Sequence, residues 1–372
     1  MRKNASVLKQ SALVAALVAS ACSGPAGTYA IRAPQSADQS VVSSHALKFN
    51  VFTAGQTQGF PASASAVDLA LGPDGSMWFT DPGTPAIGRV APDGTITEFS
   101  SGLPTGAIPY SIVAGPDGNM WFSDFRGVGI GKVTPQGAIT EFDASQYTNS
   151  KAMGIAFGTR GEPYVIGFGS QPLLAHLTPQ GKIVAKLLSP NLTPFGALTA
   201  DAGENLWFVV TVPPFKGVLF EQRPHARDFS RYPMKMVRQE LPCCPNQAPK
   251  SIAVGTDGNP WFTTLDFGHR NSPAAYVETL DQGKVRLIRI RYKGLHESAY
   301  PSGIGVAANG VWVTGGDPFA DKGALWHVSA NGKEAAYDLP HNPLGLAVDA
   351  AGNPWFTTQF SGEPSRIVEV LR

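Results

Sequence analysis

Charge is scarce in this chain of 372 residues: Asp, Glu, Lys and Arg make up 15%, against about 25% in ordinary soluble domains. No sign dominates, with 29 Lys and Arg against 28 Asp and Glu. That balance excludes the basic excess with which nucleic-acid-binding proteins neutralise phosphates. Cysteine is nearly absent, with three residues, and no Cys/His metal spacing appears. Neither a Gly-x-Ser-x-Gly elbow nor a His-Glu-x-x-His pair is present. No apolar run reaches the roughly 20 residues of a membrane-spanning helix. Glycine and proline are plentiful instead, 41 and 31 residues, about a fifth of the chain against a usual 12%. Both weaken helix interiors, so a turn-rich, helix-poor chain is expected. Its hydrophobic content of 43% supports a large core, and all-β folds of this length often form one domain.

The N-terminus reads as an address. Arg2, Lys3 and Lys9 precede an apolar stretch from Ala12 to Ala19 and the small residues Ser20 and Ala21, the order of a secretory signal. Residues 1–21 are therefore expected to be removed. Ala19-Ser20-Ala21-Cys22 resembles the bacterial lipoprotein box, in which the cysteine is lipidated, although Ala19 stands where that box usually has Leu. Ordinary signal peptidase would cut before the same cysteine. Lipidation of Cys22 is the favoured reading, since one of so few cysteines sits there. Residues 22–45, rich in Ser, Gly, Pro, Ala and Gln, read as a flexible tether, and 46–372 as the folded domain. The expected location is the bacterial cell envelope or periplasm, with membrane contact through the anchor alone and a monomeric state.

The folded part repeats. Ser111 to Phe122 (SIVAGPDGNMWF) and Ser251 to Phe262 (SIAVGTDGNPWF) are two copies of one unit, and its Trp recurs at 78, 121, 207, 261, 312 and 355. Tyr164 fills the one gap, giving spacings of 43, 43, 43, 54, 51 and 43. Each unit reads as four short strands. An apolar inner strand turns at Pro-Asp-Gly into the Trp strand, and a third strand such as Ile130–Val133 turns at Thr134-Pro135-Gln136-Gly137 into an outer strand. Proline presets φ in such turns and glycine accepts a positive φ. Repeats of this length and strand count predict an all-β, seven-bladed propeller.

The last unit stops one strand short, while Lys48 to Phe52 resembles the outer strand Thr95 to Phe99. An N-terminal strand pairing Phe49 and Val51 with Ile367–Val370 would close the ring and cover both open edges.

Gly115 to Asp124 (GPDGNMWFSD) and Ile130 to Phe142 (IGKVTPQGAITEF) resemble the streptogramin B lyase (virginiamycin B lyase) family, and the likeness runs over residues 47–372. That resemblance implies a magnesium-assisted elimination that opens a lactone. It further implies a Glu-x-His-Gly motif leading into the last blade, a Glu four residues past that blade's Trp, and a second His leading into the preceding blade. The matching positions hold Asn342, Leu344, Gln359 and Ser302. Leu344 cannot move a proton and neither amide acts as a base near neutral pH. His341, three residues before Leu344, is a weak catalytic candidate, and a solvated loop histidine is the plainer account.

In a propeller the loops leading into the inner strands and those leaving the Trp strands share one face. That face should collect Asp81, Asp124, Tyr110, Tyr300, Asp317 and Gln359 as ligand-binding candidates, with Asp266 and His269 further out. Asp81 and Asp124 occupy equivalent places in adjacent blades, where they would share a cation or polar ligand, or, more simply, cap turns. The Trp residues are expected to pack between blades. The long spacing after Trp207 contains Arg223, His225, Arg227, Arg231, Lys235 and Arg238 interleaved with Phe229 and Tyr232. Such a run suits an anionic partner such as a phosphorylated glycan or lipid headgroup, although a solvated outer strand is the simpler account. Cys243 and Cys244 are adjacent, as a vicinal disulfide or two free thiols. Gly127-Val128-Gly129-Ile130-Gly131 is no dinucleotide loop, because no helix pattern follows.

Two functions compete on this reading. One is a binding module that takes a small molecule, glycan or protein on the channel-mouth face, without a cofactor. The other is a lyase or other envelope enzyme with a shifted site, and only there does magnesium enter.

Overall fold

The structure, a computed structural model, describes residues 47–371 apart from 143–145, 148, 213–215, 235–247, 267–273, 291–299, 318–320 and 359. Seven four-stranded antiparallel sheets form the blades of a propeller. Blade 1 comprises Leu69–Leu71, Met77–Asp81, Ala86–Val90 and Ile96–Phe99, and blades 2 to 6 repeat that order from Pro109, Ser150, Thr193, Ala248 and Tyr300. Blade 7 takes its inner three strands from Pro343–Val348, Pro354–Thr358 and Arg366–Leu371 and its outer strand from Lys48–Thr53. The closure is the expected one, with Phe49 opposite Val370 and Val51 opposite Val368. The N-terminal strand thus removes the edge that the last blade would otherwise expose.

The Trp strand carries the core. Met77–Asp81, Met120–Asp124 and Pro354–Thr358 are buried at every position, because each lies third from the rim with sheets packed on both faces. Each repeat Trp packs against the following blade: Trp78 beside Ile112 and Phe122, Trp121 beside Val165 and Ala175, Trp355 beside Leu69 and Phe79. This is the interlocking expected of them. The indole N–H needs a partner once buried. Asp74, Asp117 and Asp257, four residues upstream of their Trp, accept it at 3.0, 3.0 and 3.2 Å. In blades 4 and 7 the acceptor is six residues upstream, Asp201 and Asp349. Gly75, Gly118 and Gly258 in these turns have φ between +75° and +77°, where a Cβ would be strained.

A second clip joins the blades near the channel. Thr80, Ser123 and Thr357, two residues past their Trp, donate to the carbonyls of Tyr110, Met153 and Val67 in the next blade or in the segment leading into it. The same hydroxyls accept the backbone N–H of Asp68, Ser111 and Gly345, on or just before the inner strand of their own blade.

Candidate ligand-binding face

The channel-mouth face is built by loops that begin where the Trp strands end. Asp81 terminates one such strand and is fully buried. Its Oδ1 accepts from the backbone N–H of Ser65, Gly83 and Thr84 at 2.8, 2.7 and 3.2 Å, and its Oδ2 accepts from the Thr84 hydroxyl at 2.6 Å. Asp124 repeats this in blade 2, accepting from the N–H of Ile108 and Arg126 at 2.9 and 2.7 Å. The Oδ1 of each carboxylate takes local backbone N–H groups, which is the geometry of a turn cap, while Asp124 Oδ2 is buried 3.4 Å from the Arg126 guanidinium.

Each cap has a second acid behind it. Glu98 hydrogen-bonds Asp81 from the outer strand, and Glu141 stands in the same relation to Asp124. Burial and then the neighbouring Asp81 push the Glu98 carboxyl up to about 8, and burial and Asp124 push Glu141 to about 8 against the pull of Arg126. Burial also raises Asp81. Near neutral pH each pair therefore shares a proton, Glu98 and Glu141 serving as neutral acids. The repeated Ile-Thr-Glu-Phe at 96–99 and 139–142 is the only trace of these pairs in the sequence.

At the mouth, Tyr110 stacks on Phe125 with ring centroids 5.3 Å apart. Its hydroxyl is pushed up to about 12 by burial and by nearby Asp68. Asp68 is an inter-blade tie that composition and motifs had not singled out. Its carboxylate accepts from the Ser111 hydroxyl at 2.7 Å and the Ile112 N–H at 3.0 Å in the next blade. Burial raises its carboxyl despite these bonds.

Between blades 6 and 7, His341 Nδ1 lies 2.9 Å from Asp321 Oδ2. Asp321 also accepts the Asn342 N–H at 2.8 Å and faces Arg366 at 3.8 Å. Asp317, 4% exposed, takes the Asn342 side-chain amide on its carbonyl at 3.0 Å. Tyr300 opens the inner strand of blade 6, half-buried. Gln359, His269, Cys22, Cys243 and Cys244 lie outside the described residues, as does the side chain of Asp266. Of the basic run, Ser230–Pro233 forms the short outer strand of blade 4, while Arg223 and His225 sit on the turn before it. Among the described residues no cluster of three or more His, Cys, Asp or Glu side chains is placed to hold a metal ion.

The virginiamycin B lyase family matches residues 43–213, a range that holds the N-terminal strand, the first three blades and part of the fourth. Over those residues the chain is similar to that family. A solved streptogramin B lyase superposes with a TM-score of 0.68 at 19% identity, over 87% of this chain and 98% of that one. A catalytically inactive virginiamycin B lyase from Staphylococcus aureus with quinupristin gives 0.65 at 18%, over 88% and 100%. Hydrazine synthase of Kuenenia stuttgartiensis gives 0.63 at 12%, over 82% and 95%. At these identities the likeness is one of fold, and fold alone does not carry an activity. No curated protein matches the chain significantly.

In this chain the positions where proton-transfer groups were expected are occupied by scaffold contacts. Asn342 spends its amide on Asp317, and the Ser302 hydroxyl lies 3.1 Å from that of Thr314. Leu344, half-buried, is the second residue of the inner strand of blade 7.

Proposed function

We propose that this protein is an exported propeller, anchored through a lipidated Cys22, that binds a small molecule, glycan or protein on its channel-mouth face. The observation that carries the reading is the use made of Asn342 and Ser302. Both are tied into backbone and hydroxyl contacts, and with Leu344 they leave the mouth without a free acid or base at the positions where the family resemblance implies them. What the mouth retains is a stacked Tyr110–Phe125 pair beside the channel, a surface that holds a ligand by its face without transforming it. Magnesium does not fit these positions: an amide, a leucine and a hydroxyl supply no carboxylate for a hard cation.

Profiling of small molecules released from the purified mature protein tests the reading. A species retained by the parent and lost in Tyr110→Ala supports it. A parent that carries no ligand and shifts with none of a metabolite, glycan or envelope-protein panel overturns it.

The contact between His341 and Asp321 favours a second reading, an enzyme that uses His341 as a base held by a carboxylate. His341 stands alone there, because Asn342, Leu344 and Ser302 at the positions implied by the resemblance supply no second proton-transfer group beside it. The binding reading therefore stands first.

A further inference from the structure

On the face opposite the channel mouth, the turns after the inner strands of blades 3 and 4 and after the third strand of blade 4 surround a groove of about 390 Å³. It opens where the repeat breaks. Blades 1 and 2 place Asp, Trp and a basic residue at equivalent points: Asp74, Trp78 and Arg89, then Asp117, Trp121 and Lys132. Blade 3 has Arg160, Tyr164 and His176 there. The indole clip is gone. In its place the His176 ring stacks on Tyr164 with centroids 4.9 Å apart, and His176 Nε2 faces Glu162 at 3.7 Å.

Backbone conformation marks the same place. Among the described residues four non-glycine positions have a left-handed φ, and three of them line this groove: Arg160 at 63°, Glu204 at 60° and His225 at 60°. Such conformations are unfavourable for side chains of this size and gather at ligand sites. Glu204 stands where blades 1 and 2 have Gly75 and Gly118, so the residue free of that cost has been given up for a carboxylate.

The charges converge from separate strands and turns. Arg160 comes from blade 3's first turn, Lys186 from its outer strand, and Arg223 from the basic run of blade 4. Arg160 is exposed and enters none of the ion pairs among the described residues. Lys186 lies 3.9 Å above the Phe229 ring. Glu162 and Glu204 stand on the same wall, Glu204 accepting the Arg160 backbone N–H at 3.3 Å through one oxygen.

We propose that this groove binds an acidic saccharide. The weakly positive C–H face of a sugar ring suits the negative face of the aromatic pair. A carboxylate on that sugar suits the guanidinium of Arg160, with Arg223 held beside it by Glu221 at 3.0 Å, and hydroxyls suit Glu162 and Glu204. Those two acids disfavour a bare phosphate. The volume lies at the small end of ligand sites, about 300–1,000 Å³, so one or two sugar units are accommodated. The site is independent of the channel-mouth reading.

Calorimetric titration of the mature protein with digalacturonate, cellobiose and inorganic phosphate tests it. Digalacturonate is expected to bind at least tenfold tighter than the other two. Arg160→Gly combined with His225→Gly removes a guanidinium and an imidazole from the groove wall at positions where the backbone already favours glycine. The variant should keep or raise its melting temperature and lose at least tenfold in affinity. Tyr110→Ala at the mouth should leave this binding unchanged. No binding of digalacturonate, equal binding of phosphate, or unchanged affinity in the folded double variant would each overturn the assignment.

Discussion

The Thr357 hydroxyl donates to the carbonyl oxygen of Val67 at 2.8 Å, bridging 290 positions of chain. It also accepts the Gly345 N–H at 2.9 Å, so one fully buried oxygen ties the inner strand of blade 7 to the segment leading into blade 1. Replacing Thr357 with Val keeps the shape and strands both partners. Buried groups left unpaired cost about 1–3 kcal/mol each, and roughly 2 kcal/mol of lost stability is expected in denaturant unfolding. Removing residues 46–53 should cost far more, because it strips the outer strand from blade 7 and reopens the edge of Arg366–Leu371. A Thr357→Val protein as stable as the parent would show that the ring does not depend on this clip.

The ring was legible because it is written seven times. Trp, the turn after the inner strand and the Thr or Ser two places past the Trp recur, and Lys48 to Phe52 resembles an outer strand with no blade of its own. Contacts between residues far apart in the chain, within a blade or across two, were not legible. Asp68 and Ser111, Asp321 and His341, and Glu98 and Asp81 meet through sheet register or blade apposition, and one acid in a sequence looks the same whether it caps a turn, ties two blades or faces a ligand. Asp81 and Asp124 show this directly, since residue type and position allowed both a shared ligand and a cap. The groove beside Tyr164 was hidden for another reason. The missing Trp was visible, but Arg160, His176 and Arg223 join it only when two blades are side by side.

The Glu98–Asp81 and Glu141–Asp124 pairs make stability depend on pH. Glu98 releases its proton near 4.5 in an unfolded chain and near 8 in the folded one. The folded state therefore binds more protons between those values, and stability present at pH 5 declines as pH rises toward 8. Glu98→Gln supplies a permanent N–H donor to Asp81. Its melting temperature should match the parent's near pH 5 and exceed it at pH 8, with Glu141→Gln behaving alike. Parallel pH profiles for parent and variant would contradict the shared proton.

Cys22 should decide where the protein resides. Expressed in a bacterium with its own leader, the parent should partition with membranes and carry a mass increment on the N-terminal peptide. Cys22→Ser should move it to the soluble exported fraction with its fold unchanged by circular dichroism. A parent already soluble and cut before an unmodified Cys22 would point to ordinary signal peptidase and remove the anchor from the proposal.

The sharpest outcome concerns the lactone-opening activity implied by the family resemblance. The mature protein is expected not to linearise streptogramin B lactones above the buffer rate, with or without magnesium, as followed by mass spectrometry of the product. Asn342, Leu344, Gln359 and Ser302 occupy the four proton-transfer positions, and loss of each general acid or base typically costs about 10²–10⁴-fold in rate. Turnover abolished by His341→Ala would place the chemistry on the contact between His341 and Asp321, 2.9 Å apart, and would favour the enzyme reading. Turnover indifferent to that change would mean that the last two blades present other residues to the substrate. Asn342→Glu, Leu344→His, Gln359→Glu and Ser302→His together are the complementary experiment. Activity gained in that fourfold variant would show that the mouth still admits the lactone and that chemistry, not shape, separates this propeller from the lyases.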